Sequence, residues 1–172
     1  QTREANGMIV KLAAQSIPNA ARLLSDSLPK KAGIIRIHVG GDFQTKAYFQ
    51  SWLMVAHANP SILFYAYTKS LPFWVWAKHE RIIPKNFLLT ASYGGYRDDL
   101  IKSERLRASK VVFSEREARD LKLEIDHDDR HAALPEYAKQ SFALLLHGIQ
   151  PAGSLAATTL KKLKGKGSYA RN

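Results

Sequence analysis

A chain of 172 residues with 45% hydrophobic and 24% charged side chains can bury its own core, and it reads as one globular domain. It has no cysteine, which excludes disulfides and any thiolate-held metal or iron-sulfur cluster within these residues, and no apolar run long enough to span a bilayer or signal-peptide pattern. Its 26 Lys and Arg against 15 Asp and Glu leave a net charge of +11, the profile of a protein that meets polyanions, DNA or RNA first among them.

Gln1 opens the chain in place of Met, and Gln1 to Leu12 carries no start signal of its own, so residues upstream are expected. From 8 to 28 the apolar positions Met8, Ile9, Leu12, Ile17, Ala20, Leu23, Leu24 and Leu28 follow a helical stripe interrupted by Pro18, which predicts two short helices within an N-terminal segment 1–33. Strand-like runs then start near 34, 62, 87, 111 and 142, one βαβ unit apart. The helix between the first two carries Tyr48, Phe49, Trp52, Leu53 and Ala56 at helical spacing and stops at Asn59-Pro60. A shorter alternation, Leu121, Leu123 and Ile125, adds a candidate strand ending at Asp126. The pattern predicts an α/β domain, 1–172, with a parallel sheet of five to six strands. A closed eight-unit barrel needs about 250 residues, so a partial, open TIM-like barrel is expected.

Parallel strands place all their C-terminal ends on one rim, where ligands bind in such folds. The first run, 34–39, leads into His38, Gly40, Gly41 and Asp42, where two glycines let a ligand approach the backbone between an imidazole and a carboxylate. The alternative is a tight turn in which Asp42 caps the next helix. The second run ends in Tyr65-Ala66-Tyr67-Thr68-Lys69; Lys69 suits a phosphate or carboxylate, and Tyr65 and Tyr67 share one face. Core aromatics with a snorkelling lysine would give the same pattern. The third run ends in Ser92-Tyr93-Gly94-Gly95 and the last in His147-Gly148, while Gly153 and Ser154 open a final helix as an anion cradle or an ordinary cap. Asp126-His127-Asp128-Asp129-Arg130-His131 is the densest run of oxygen and nitrogen donors, a possible metal contribution or a hydrogen-bonded turn. Residues 160–172 form a basic tail with Lys161, Lys162, Lys164 and Lys166.

Five motifs in fixed order, Arg36-Ile37-His38-x-Gly40-Gly41-Asp42-Phe43, Phe64-Tyr65-Ala66-Tyr67-Thr68-Lys69-Ser70, Ser92-Tyr93-Gly94-Gly95, Ile125-Asp126-His127-Asp128-Asp129 and Leu145-Leu146-His147-Gly148-x-Gln150-Pro151-x-Gly153-Ser154, resemble the gene product 88 family of bacteriophage and plasmid proteins. That family is in turn distantly similar to radical S-adenosylmethionine enzymes, in which a Gly-Gly-Glu-Pro motif at the place of Gly40-Gly41-Asp42-Phe43 binds the cofactor's amino group. The resemblance implies a phage-associated barrel protein; the charge adds that it acts on or binds nucleic acid, and the lack of a spanning or signal segment adds the cytoplasm of the bacterial host. Tyr67, Lys69 and His147 stand as its catalytic candidates, and His38, Gly40, Gly41, Asp42, Ser92, Gly153 and Ser154 as its cofactor-binding ones. S-adenosylmethionine and a 4Fe-4S cluster are implied only if cysteines lie upstream of Gln1. The rival expectations are a divalent-metal hydrolase or nuclease built on His38, Asp42, Asp126 or Asp128 and His147, and a non-catalytic nucleic-acid-binding module.

Overall fold

The computed structural model describes residues 2–146 and 158. Two helices open it, α1 (Thr2–Gln15) and α2 (Ile17–Asp26). Between them Ser16 accepts a hydrogen bond from the Asn19 amide at 3.4 Å, and Pro18 sits in the first turn of α2, where its missing N–H costs nothing. Then come β1 (Ile34–Arg36), α3 (Lys46–Ala58), β2 (Leu63–Thr68), α4 (Leu71–His79), β3 (Phe87–Ser92), α5 (Asp99–Ser103), β4 (Ala108–Val112), α6 (Glu115–Asp120), α7 (Arg130–Ala133), a 3-10 turn (Pro135–Tyr137) and β5 (Phe142–Leu145).

All five strands are parallel, and each lies beside its predecessor in the order β1-β2-β3-β4-β5. Sequential order with a helix in every crossover is the winding of a β/α barrel, here open and half complete. The first strand is three residues, not the six expected for 34–39, because the chain turns away after Arg36. The sixth expected strand is reduced to one bridge, Ile125 to Ala143. β4 begins at Ala108, earlier than the apolar run suggests. Buried Arg107 and Ser109 disguise its start.

The sheet buries both faces. On the outer face Phe43, Phe49, Phe64, Phe87, Trp52 and Trp74 pack with the helices into the main core. α3 is cut to fit it: Thr45 caps the helix by accepting from the Tyr48 amide at 3.2 Å, and Tyr48, Phe49, Trp52, Leu53, Val55 and Ala56 are all buried. On the inner face α7 lies against Tyr65, Leu88 and Phe142 through Ala132 and Ala133. Residues 126–138 thus fill the concave side.

Three crossover helices end alike. Arg81 after α4, Arg105 after α5 and Lys122 after α6 have φ of 57°, 51° and 55°. Each is followed by an apolar residue whose amide reaches back five positions, Ile82 to the Ala77 carbonyl, Leu106 to Ile101 and Leu123 to Ala118. These are Schellman ends with a cation where glycine is usual. Since the helices run antiparallel to the strands, the three cations lie at the N-terminal end of the sheet.

Candidate functional site

At the C-terminal rim the Asp42 carboxylate is the centre of a latch between two strand ends. Its Oδ1 accepts from the Phe43 amide at 2.7 Å and the Thr68 hydroxyl at 2.6 Å, and its Oδ2 accepts from the Lys69 amide at 2.6 Å. Ser70 completes the stitch, its hydroxyl donating to the Phe43 carbonyl at 2.7 Å and its amide to the Thr68 hydroxyl at 2.9 Å. Gly41, with φ of 94°, makes the turn that delivers Asp42. Asp42 does not cap α3; Thr45 does.

His38 turns from the rim into the aromatic core. Its Nε2 lies 2.9 Å from the Tyr48 hydroxyl, its Nδ1 is buried with no hydrogen-bond partner among the described residues, and its ring meets Phe43 and Trp52 edge-on. Burial depresses its pKa below the usual histidine value, against the opposing pull of Asp42.

Lys69 is exposed and lies across the Gly94–Gly95 backbone. A Cβ added at Gly94 would stand 3.4 Å from its Nζ, and one at Gly95 would stand 3.2 Å from its Cβ. The two glycine amides are not free to cradle an anion, because they donate to the two oxygens of Asp98 at 2.8 and 3.0 Å. Flanking them, Tyr93 is 46% exposed and Tyr96 fully so. Ser92 ends β3 in register with buried Ser109. The structure therefore brings Asp42, Lys69 and Gly94–Gly95 together, and directs His38 elsewhere. His147, Gly153, Ser154 and the basic tail lie outside the described residues.

The inner face carries a second polar network. Asp129, itself left-handed with φ of 65°, accepts from the hydroxyls of Tyr65 and Tyr67 at 2.9 Å each and from Arg36 at 2.8 Å. The Arg36 guanidinium lies 5.0 Å from the centre of the Tyr67 ring. Burial, reinforced by Asp129, pushes the Tyr65 hydroxyl up to about 12 and Tyr67 further still, so both remain protonated donors at neutral pH. Next to this network His131 is held between Glu124, 2.9 Å from Nε2, and buried Asp126, 3.3 Å from Nδ1. The Thr90 hydroxyl, in register beside Tyr67, and Asp126 Oδ2 are buried without hydrogen-bond partners among the described residues.

The run 126–131 is thus mostly self-engaged: Asp128 pairs with Arg130, Asp126 with His131, and Asp129 with the tyrosines. Among the described residues no three His, Asp or Glu side chains are grouped to hold a metal ion. Of the set expected for a metal hydrolase, His38, Asp42, Asp126 and Asp128 are thus not grouped among the described residues, and His147 lies outside them.

Sequence reasoning missed Arg107. It is 6% exposed and donates to the carbonyls of Leu89 at 3.0 and 3.1 Å, His131 at 2.9 Å and Ala132 at 3.2 Å, binding α7 to the sheet. Burial lowers its pKa to about 10. An arginine in a polar stretch carries no signal of such burial. Asp98 and the Tyr93–Tyr96 flanks were also missed, although Tyr-Gly-Gly-Tyr is visible as a pattern.

A comparison with curated proteins and with solved structures finds no match. A family model described as Gene product 88 matches residues 1–163, all five motifs included. By that match over nearly its whole length, the chain belongs to the Gene product 88 family.

Proposed function

We propose that this protein binds single-stranded DNA or RNA at the C-terminal rim of its half-barrel. The observation that carries the reading is Lys69 laid across Gly94–Gly95, which exposed Tyr93 and Tyr96 flank along the chain. A cation against the same loop as two exposed aromatics suits a backbone phosphate and its unstacked bases, whose faces a duplex hides. The net charge of +11 supports it, and five of those charges, Lys161, Lys162, Lys164, Lys166 and Arg171, fall beyond residue 150 with no acid among them. A phage-encoded protein in a bacterial cytoplasm is the setting of this proposal. Among the described residues no helix is long and apolar enough to cross a membrane.

The test is a titration of labelled single strands and duplex at several salt concentrations. Log affinity should fall linearly with log salt, and single strands should bind more tightly. Tyr96→Ala should cost about 1–3 kcal/mol of single-strand affinity, and Lys69→Ala should lower the salt slope by about one. No binding at low salt removes the reading.

A second reading makes the Gly40–Asp42 loop a seat for S-adenosylmethionine. What favours it is open space: a Cβ at Gly40 or Gly41 would meet nothing within 4 Å, and Asp42 Oδ2 receives one hydrogen bond among the described residues, leaving it able to accept from an ammonium. A 4Fe-4S cluster needs thiolates, and residues 1–172 contain none, so these side chains do not by themselves hold one. Calorimetric titration of S-adenosylmethionine into the wild type and Asp42→Asn decides it; absence of heat with the folded wild type sinks the idea.

A further inference from the structure

At the opposite end of the strands from the rim, a groove of about 800 Å³ runs between the start of α2, one face of α3 and the segment 81–84 that enters β3. Its walls are apolar, with Ile17, Met54 and Ile82 among them, and Met54 and Ile82 remain more than 40% exposed. Three polar side chains, Gln50, His57 and Arg81, line it, and the structure gives their side chains no hydrogen bond or ion pair among the described residues. Gln50 and His57 are two turns apart on one face of α3. Arg81 comes from the left-handed position after α4, φ of 57°, where glycine would be the relaxed choice.

We propose that this groove binds a medium-chain, unbranched carboxylate, with the chain along the apolar walls and the head on Arg81, supported by His57 and Gln50. The volume lies within the range of single-ligand sites, roughly 300–1,000 Å³, and the composition of apolar walls with a few polar groups matches them. A planar guanidinium with no partner among the described residues is suited to a carboxylate, which it engages through two parallel hydrogen bonds. Other occupants fit less well. The chain's own C-terminal segment is basic and would place lysines against Arg81. A nucleic acid would gain nothing from walls of isoleucine and methionine. This site is independent of the one at the rim.

The experiment uses the 172-residue chain with decanoate, decanol and decyltrimethylammonium as probes, each below its micellar concentration, in isothermal titration calorimetry. Decanoate should bind at one site and at least tenfold tighter than the other two. Extending the chain from eight to twelve carbons should tighten binding about three- to fourfold per methylene until the groove is full. Arg81→Gly tests the head group without threatening the fold, because glycine relieves the left-handed strain. It should keep or raise the thermal midpoint and weaken decanoate about tenfold or more. Met54→Glu should weaken decanoate comparably while leaving decyltrimethylammonium unchanged or tighter.

Equal affinity for decanoate and decanol, no loss in folded Arg81→Gly, or non-saturating uptake at many sites would each overturn the proposal. So would light scattering that shows a dimer whose dissociation, rather than ligand, is what Met54→Glu alters; the occupant would then be a second copy of the chain. None of these results bears on nucleic-acid binding.

Discussion

Asp42 shows how a side chain at a strand end can look the same in sequence whether it serves a ligand or the fold. An acid after Gly-Gly reads as a ligand group, yet three donors from its own chain already reach it, two of them from the Thr68–Lys69 strand end. Asp42→Ala should therefore destabilise the protein by about 2–4 kcal/mol in urea denaturation, since it leaves a buried hydroxyl and two amides without an acceptor; an unchanged midpoint would show that the latch is not structural. His38 was legible as a titratable group but not in its orientation, which the aromatic pocket of Phe43, Tyr48 and Trp52 sets. Its folded pKa is below the unfolded value of 6.5, so between the two the unfolded chain binds more protons. Its contribution is then fully present above pH 6.5 and is lost as the pH falls from there through the lower folded value. The stability difference between pH 8 and pH 5 should shrink in His38→Gln; an undiminished difference would place the acid sensitivity elsewhere.

At the scale of elements, the strands and α3 were readable because each combines a period with a stop signal. β2 and β3 lie within one residue of their apolar runs, and α3 ends at Asn59 before Pro60. α7 was not readable: four residues carry no periodicity, and its position on the inner face depends on Arg107 and Asp129 rather than on its own sequence. The rim was legible as a place, through strand polarity, but not as a network of contacts, because Asp98 and Tyr96 match no motif and nothing in the sequence pairs Thr68 with Asp42. The three helix ends at Arg81, Arg105 and Lys122 carry a repeated basic-apolar pair, Arg-Ile, Arg-Leu and Lys-Leu, that marks the units once the structure is known. A cation there is favoured by the helix dipole, yet a left-handed L-residue costs about 1 kcal/mol. Arg105→Gly should consequently raise stability by about 0.5–1 kcal/mol in chemical denaturation, the relief of strain outweighing the lost dipole contact. A loss of stability would mean that the arginine packs or pairs in a way that offsets its strain.

For the molecule as a whole, the two faces of the sheet are secured by different physics. The outer face is held by aromatic burial spread over many residues, whereas the inner face is covered by a short segment attached through a small apolar cluster and a few polar bonds. Hydrophobic contact of the first kind is lost gradually, while a clasp such as Arg107, reaching from residue 107 back to Leu89 and forward to His131 and Ala132, is either closed or open. Residues 126–138 should accordingly come away as one unit with a free energy well below that of global unfolding, in the manner of a separate cooperative segment. In native-state hydrogen exchange the amides of Ala132, Ala133 and Leu134 should share one opening free energy under increasing denaturant, lower than that of Leu89 or Ala91. Arg107→Met should lower it by several-fold more in population than it lowers global stability. Coincident isotherms for both groups would make the inner cover part of the global unit. Arg107 thus sets a timescale: the rate at which its guanidinium lets go of the carbonyls is the rate at which Tyr65, Tyr67 and Thr90 are uncovered to solvent.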